Sequence, residues 1–143
     1  MNISANGIAL IRQSEGCCLT VYADAAGFLT IGIGHKILPS DPDFSAGITM
    51  AEALTLLAED LTAPEDAVNA QAPWTNQNQF DALVDFTFEC GVGALGELLA
   101  HGQAQVQAQL PRWVYARVKG VETELPGMVV RRAAEVRLFK TPC

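Results

Sequence analysis

Basic residues are scarce along most of this chain. Residues 1–111 hold two, Arg12 and Lys36, against thirteen acidic ones, a local charge of −11, and the sequence pI is about 4.6. A surface of that sign repels a phosphate backbone, and the short basic segment near the C-terminus has no interleaved stacking aromatics, so nucleic acid is not an expected partner. The four cysteines, Cys17, Cys18, Cys90 and Cys143, include an adjacent pair of a kind that rarely bonds to itself. They make no disulfide framework, and the reduced thiols of a cytoplasmic chain are expected. The two histidines, His35 and His101, stand at no metal-ligand spacing from them, so no metal and no other cofactor is expected. Met1-Asn2-Ile3-Ser4 opens no basic-then-apolar leader, and no apolar run approaches the roughly eighteen residues of a membrane span, so neither export signal nor stable membrane association is expected.

What is present suits one domain over residues 1–143, a length that buries about two-thirds of the unfolded surface. Ser4 is placed to cap a helix carrying Ala5, Ile8, Leu10 and Ile11, and Gly16 to end it. Thr20–Ala23 and Phe28–Ile31 read as two short strands joined through Ala25–Gly27. With that loop, Asp24 faces Phe28 and Tyr22 faces Thr30, and all four side chains project from one face. Thr49 and Glu52 form a capping box ahead of a long helix whose apolar face is read as Ala51, Leu54, Leu57, Ala58 and Leu61. Pro64 predicts a kink or a restart there, with Thr62 and Glu65 as a second cap. Thr75 is read as the N-cap of the next helix, with Phe80, Leu83, Val84, Thr87 and Phe88 as core. Short helices are expected at 95–101 and 104–110, another from Pro111, and a last one over about 127–139. The order is that of an α+β fold with one small sheet.

The chemistry concentrates in residues 15–35. Glu15 falls in the last turn of the first helix, where the negative end of the macrodipole disfavours a second negative charge. A carboxyl that keeps its proton is what a leaving sugar oxygen requires. Asp24 and Thr30, as diagonal neighbours across the hairpin about 7–8 Å apart, leave room for a water between carboxylate and hydroxyl. Each residue alone has an ordinary structural reading, but two carboxylates gathered around one hairpin suggest glycoside hydrolysis.

Glu15-Gly16, then Leu19, Tyr22, Asp24, Gly27 and Thr30-Ile31-Gly32-Ile33-Gly34-His35 together resemble the signature of the phage-type lysozymes, the endolysins of glycoside hydrolase family 24. The likeness continues through Asn76–Phe88, Gly91–Leu95, Arg112-Trp113 and Leu125–Glu135. The resemblance implies a lysozyme-like fold, with a small β-hairpin N-terminal lobe and a helical C-terminal lobe joined by a long helix. It implies hydrolysis of the β-1,4 bond between N-acetylmuramic acid and N-acetylglucosamine in peptidoglycan, with inversion. Glu15 would be the general acid, Asp24 the carboxylate that positions or activates water, and Thr30 the third catalytic member. Tyr22, Phe28, Gly34 and His35 are the candidate substrate-binding residues, His35 having a second reading as a hydrogen-bonded packing residue.

The expected partners are peptidoglycan glycan strands, met by a monomer that waits in the host cytoplasm for holin-type release and then acts on the wall in the periplasm. Two other readings remain: a non-catalytic peptidoglycan-binding module, and a wall-degrading effector or tail lysozyme delivered by a partner. Three features depart from the family pattern. The Ser-Thr step usual after the central turn is missing between Gly93 and Leu99. Glu89, read as a solvated helix end, stands where many members carry Asn or Gln. The charge is the third: net −7 overall, relieved only in residues 112–143, where seven basic side chains face three acidic ones. Arg131, Arg132 and Arg137 are read there either as a basic face toward the anionic wall or as a solvated helix face.

Overall fold

The computed structural model describes residues 1–143. The chain forms helix α1 (Ala5–Glu15), strands β1 (Cys18–Ala23), β2 (Leu29–Gly32) and β3 (His35–Lys36), then helices α2 (Met50–Gln71), α3 (Gln77–Cys90) and α4 (Val92–Leu99). A short turn of helix α5 (Val106–Gln109) lies between two 3-10 turns, and strands β4 (Tyr115–Val118) and β5 (Val121–Glu124) precede helix α6 (Pro126–Lys140). The result is α+β, as expected, but with two sheets instead of one. The chain divides into two compact units, Ile11–Thr62 and Met1–Leu10 with Ala63–Cys143. Both α1 and α2 contribute residues to each unit.

The Ile11–Thr62 unit is built on the antiparallel sheet β1-β2-β3. Ser4 caps α1 by accepting from the Asn6 N–H at 3.2 Å, and Gly16 ends it at φ +67°, its N–H reaching the Arg12 carbonyl at 2.9 Å. Ile11, Ile31, Ile33, Ala53, Leu57 and Leu61 supply the buried apolar side chains. The capping box at the start of α2 forms in both directions: the Thr49 N–H reaches Glu52 Oε2 at 2.8 Å, and the Glu52 N–H reaches Thr49 Oγ1 at 3.1 Å.

The buried stripe of α2 differs from the one expected. Ala53, Leu57, Leu61, Pro64 and Val68 are buried, whereas Ala51, Leu54 and Ala58 are exposed. Helix α2 does not restart at Pro64, and Thr62 and Glu65 make no second cap. The Thr62 hydroxyl donates back to the Ala58 carbonyl at 3.3 Å, and Glu65 Oε1 accepts from the Ile3 N–H at 2.6 Å. Burial of the proline ring within the stripe offsets the one hydrogen bond its missing N–H costs.

In the other unit α3 packs on α6 and α4. Helix α3 is buried continuously from Phe80 to Thr87, two aspartates included. Its N-cap is Asn76, not Thr75. Asn76 Oδ1 accepts from the Gln79 N–H at 2.9 Å and Gln79 Oε1 from the Asn76 N–H at 3.0 Å, while the Thr75 hydroxyl closes the preceding turn on Ala72. The helix expected from Pro111 is a single 3-10 turn, after which β4 and β5 form a hairpin over Lys119 (φ 51°) and Gly120 (φ 78°). Two successive positive φ values give the turn whose twist matches that of the flanking strands. The C-terminal tail is held, with Asn78 Nδ2 donating to the carbonyls of Thr141 (3.0 Å) and Pro142 (3.2 Å).

Candidate active site

Strand pairing fixes which candidate side chains share a face. Tyr22 pairs with Thr30 and Thr30 with Lys36, so these three form one row across the sheet and share a face. Two residues along, the Asp24 N–H donates to the Phe28 carbonyl at 2.8 Å, which continues the same register and puts Asp24 and Phe28 on that face as well. The pairing read from the sequence is therefore the one found, though β1 carries an irregularity between Cys18 and Tyr22.

Asp24 Oδ1 accepts from the N–H groups of Ala26 (2.9 Å) and Phe28 (2.8 Å), which ties the carboxylate to its own loop. One oxygen fixes the direction of the group and the other points away from those donors. Thr30 is 3% exposed, and its hydroxyl donates to the Phe28 carbonyl at 3.0 Å, leaving its lone pairs as acceptors.

Glu15 is the last residue of α1 and half-buried. A Cβ added to Gly34 would lie 2.8 Å from Glu15 Oε2, 2.9 Å from its Cδ and 3.1 Å from its Cγ. The backbone of Gly34, at φ +70°, thus lies flat against the carboxyl, an approach that only glycine allows. Tyr22 links the two carboxylates electrostatically. Its phenol is pushed above the ordinary value of 10.0 by burial first and then by the charges of Glu15, Cys18, Asp24 and Cys17. The Cys18 thiol is held below its ordinary value by hydrogen bonds to the Thr20 backbone and hydroxyl. All four cysteines are free.

His35 differs from the other candidate binding residues. It is 5% exposed and both ring nitrogens are engaged, Nδ1 with Asp60 Oδ2 and Nε2 with Asp41 Oδ2, each at 2.8 Å. Phe44 meets the ring edge-on at 6.2 Å. A sugar would find no free nitrogen there, so the substrate-binding reading is corrected to the packing one: His35 ties β3 to α2 and to the loop at Asp41. Burial disfavours the charged imidazole, but the hydrogen bonds and charges of Asp41 and Asp60 outweigh it and raise the pKa above 6.5. The Leu38 N–H, ahead of His35, holds Asp41 below 3.8, whereas burial raises Asp60 despite His35.

These shifts set a pH dependence. The imidazole, with its folded pKa raised, stabilises the fold fully below 6.5 and ceases to as pH climbs through the folded value. Asp41, with its folded pKa depressed, contributes above 3.8 and loses that contribution on further acidification. The contribution of the His35–Asp41 pair to thermal stability should therefore be greatest between about pH 4 and 6.5 and decline above it. His35→Asn should cost about 1–3 kcal/mol near pH 5.5 and flatten the alkaline decline, as melting curves across pH would register. A parallel decline in both proteins would place the titrating group elsewhere.

An apolar hollow of about 340 Å³ in the helical unit, lined by Pro111, Val114, Val129 and Ala133 with Glu124 and Arg132, holds no acid pair of its own. No group of three His, Cys, Asp or Glu side chains is arranged to hold a metal ion. Residues 12–135 match the family described as Phage lysozyme. The chain belongs to that family. An endolysin of Acyrthosiphon pisum secondary endosymbiont phage 1 is 34% identical over 149 residues, covering 99% of each chain. Among solved structures, an endolysin from Escherichia coli O157:H7 phage FAHEc1 superposes with a TM-score of 0.86 at 30% identity, over 98% of this chain and 94% of that one. The muramidase domain of SpmX from Asticaccaulis excentricus superposes at 0.83 with 33% identity, over 99% of both. Family membership makes this chain a glycoside hydrolase of peptidoglycan, with the α+β lysozyme architecture described above.

Sequence reasoning missed the charges inside the helical unit. Arg131 and Arg132 are 6% and 1% exposed, so neither reading of them as a surface face holds. Arg131 forks onto Asp85, with Nη2 to Oδ1 at 2.7 Å and Nε to Oδ2 at 3.1 Å. Arg132 pairs with Glu89 and, at 2.5 Å, with Glu135. Glu89 is thus a half-buried ion-pair partner and not a solvated helix end. The signal was present in Asp81, Asp85 and Glu89, three acids spaced four apart on the helix that carries the apolar run Phe80–Phe88.

Proposed function

We propose that the enzyme cuts the β-1,4 bond between N-acetylmuramic acid and N-acetylglucosamine, with Glu15 as general acid. Asp24 directs and deprotonates the attacking water, and Thr30 accepts one of that water's hydrogens. The supporting observation is the row Tyr22-Thr30-Lys36 with Asp24 on the same face and the Glu15 carboxyl close against Gly34, in the turn between β2 and β3. A lone pair left on Thr30 and one carboxylate oxygen left beyond the loop hydrogen bonds suit a water held between them. With water attacking from the face opposite the leaving oxygen, the product anomer is inverted. Phe28, Tyr22 and the backbone at Gly34 meet the glycan. The enzyme acts as a monomer on the cell wall. No helix is long and apolar enough to cross a membrane, and we read delivery as holin-type release from the host cytoplasm into the periplasm.

The test is release of reducing ends from purified murein, with the product anomer followed by NMR in the first minutes. Asp24→Asn keeps the oxygen that accepts from Ala26 and Phe28, so the loop should hold and melting should shift by less than about 1 kcal/mol. Loss of the charge should nevertheless lower kcat by about 10²–10⁴-fold. An unchanged rate would remove Asp24 from the mechanism, and a retained anomer would make it a nucleophile. Saccharide binding without turnover by the wild type would instead favour the binding-module reading.

A further inference from the structure

We propose that Lys36 and Phe28 form a subsite that recognises the carboxylates carried by the muramic acid residues of the glycan strand. The inference rests on the muramidase reading above and deepens it. Lys36 sits directly opposite Thr30, so its side chain leaves the sheet on the same face as Tyr22, Asp24 and Phe28. Its ammonium lies 4.9 Å from the centroid of the Phe28 ring, which is itself 57% exposed at the tip of the hairpin beside Asp24.

An exposed cation over an aromatic ring is a weak contact, and a flexible four-carbon stem lets the ammonium swing from the ring to an incoming anion at little cost. An anion is the partner such a cation can take, and here it must do so against the net negative field of its surroundings. Between Ile11 and Thr62 stand seven acidic side chains and two permanent cations, Arg12 and Lys36. Arg12 belongs to the last turn of α1, and the His35 imidazole is enclosed between Asp41 and Asp60. Lys36 is therefore the sole cation that β1, β2 and β3 supply to the catalytic face.

The substrate presents matching groups. Every second sugar of a murein strand bears a lactyl ether whose carboxyl is either free or extended into a peptide that carries carboxylates of its own. A chitin-type strand bears none. Phe28 offers an apolar ring to a sugar face while Lys36 takes the anionic substituent beside it. An acidic enzyme thereby gains a local attraction to an anionic polymer, and the attraction is lost as salt rises.

The experiment compares wild type, Lys36→Met and Lys36→Arg on three substrates. These are intact murein, murein whose carboxyls have been coupled to methylamine, and glycan strands stripped of peptide by an amidase. Wild type should lose about three- to fivefold in kcat/KM on going from intact to amidated murein, carried by KM, which is the scale of an exposed charge pair. Lys36→Met should lose a similar factor on intact murein and no longer distinguish the two, whereas Lys36→Arg should keep the distinction. A preference retained on stripped strands would assign the lactyl carboxylate as the group read, and a preference lost there would assign the peptide. Equal losses by Lys36→Met on intact and amidated murein, or no loss at all, would overturn the subsite and leave Lys36 as a support for Phe28. No cleavage of any substrate by wild type would overturn the muramidase reading itself and this subsite with it.

Discussion

Glu15→Gln should lower kcat on murein by about 10²–10⁴-fold while the protein melts within about 1 kcal/mol of wild type. The glutamine carboxamide has the shape of the carboxyl and fits beside Gly34, but it has no acidic proton to give a leaving sugar oxygen. The backbone of Gly34 bounds one side of the group, and α1 ends at Glu15 itself, so the side chain has few orientations to choose from. Glu15→Asp separates position from chemistry. It keeps an acid but draws it back by one methylene, and a displacement of about 1 Å in such a site costs roughly 10²-fold. Activity near wild type in Glu15→Gln would move the acid role to another group. Activity near wild type in Glu15→Asp would mean that position matters little, against the tight approach of Gly34.

The parts of the fold that were legible in the sequence are those set by neighbours in the chain. The cap at Ser4, the end at Gly16, the box at Thr49 and Glu52 and the hairpin register around Ala25–Gly27 all involve residues within a few positions of one another. The mistaken cap at Thr75 was legible too. Only Asn76 has a glutamine three residues on that can return the hydrogen bond. The second hairpin was hidden because β4 and β5 are largely exposed on both faces, so no apolar alternation marks them. Its one local sign is Lys119-Gly120.

Long-range polar pairing was the other blind spot. His35 finds Asp60 across 25 residues, and Arg131 finds Asp85 across 46. Local spacing carries no record of such partners, and a charged side chain without a visible partner reads as solvated. The hairpin geometry was read better than the interior because Asp24 and Thr30 lie on one hairpin and Glu15 only a few residues before it. His35 was the exception, because its two carboxylates lie outside the motif.

Arg132→Met should be the most destabilising single change in the helical unit, by about 3–5 kcal/mol in urea or thermal unfolding. The Arg132 guanidinium is 1% exposed, lies 5.1 Å from the Phe86 ring centroid, and donates to Glu89, to Glu135, to the Trp113 carbonyl at 3.3 Å and to Cys90 Sγ at 3.1 Å. Its Nε has no partner, nor has Glu135 Oε2, so the cluster is incompletely satisfied even when intact. Two guanidiniums face three carboxylates, those of Asp85, Glu89 and Glu135. Burial, then the neighbouring Asp85, raises the Glu135 pKa well above 4.5 against the pull of Arg132, and burial pushes the Cys90 thiol up to about 11.

Removing Arg132 alone strands Glu135, which is 0% exposed, without its counter-ion. A group whose folded pKa is raised loses stabilising effect as pH rises from its unfolded value through the folded one. The Arg132→Met variant should accordingly weaken more steeply than wild type above about pH 4.5. Arg132→Met with Glu135→Leu removes both charges together and should recover most of the loss, since a buried pair replaced by apolar side chains of similar volume is often neutral or better. The coupling measured in that double-mutant cycle separates the two origins of the effect. Recovery means that the single change is costly because it leaves a carboxylate unpaired. A double variant as weak as the single one would assign the loss to packing against Phe86 and Trp113 instead.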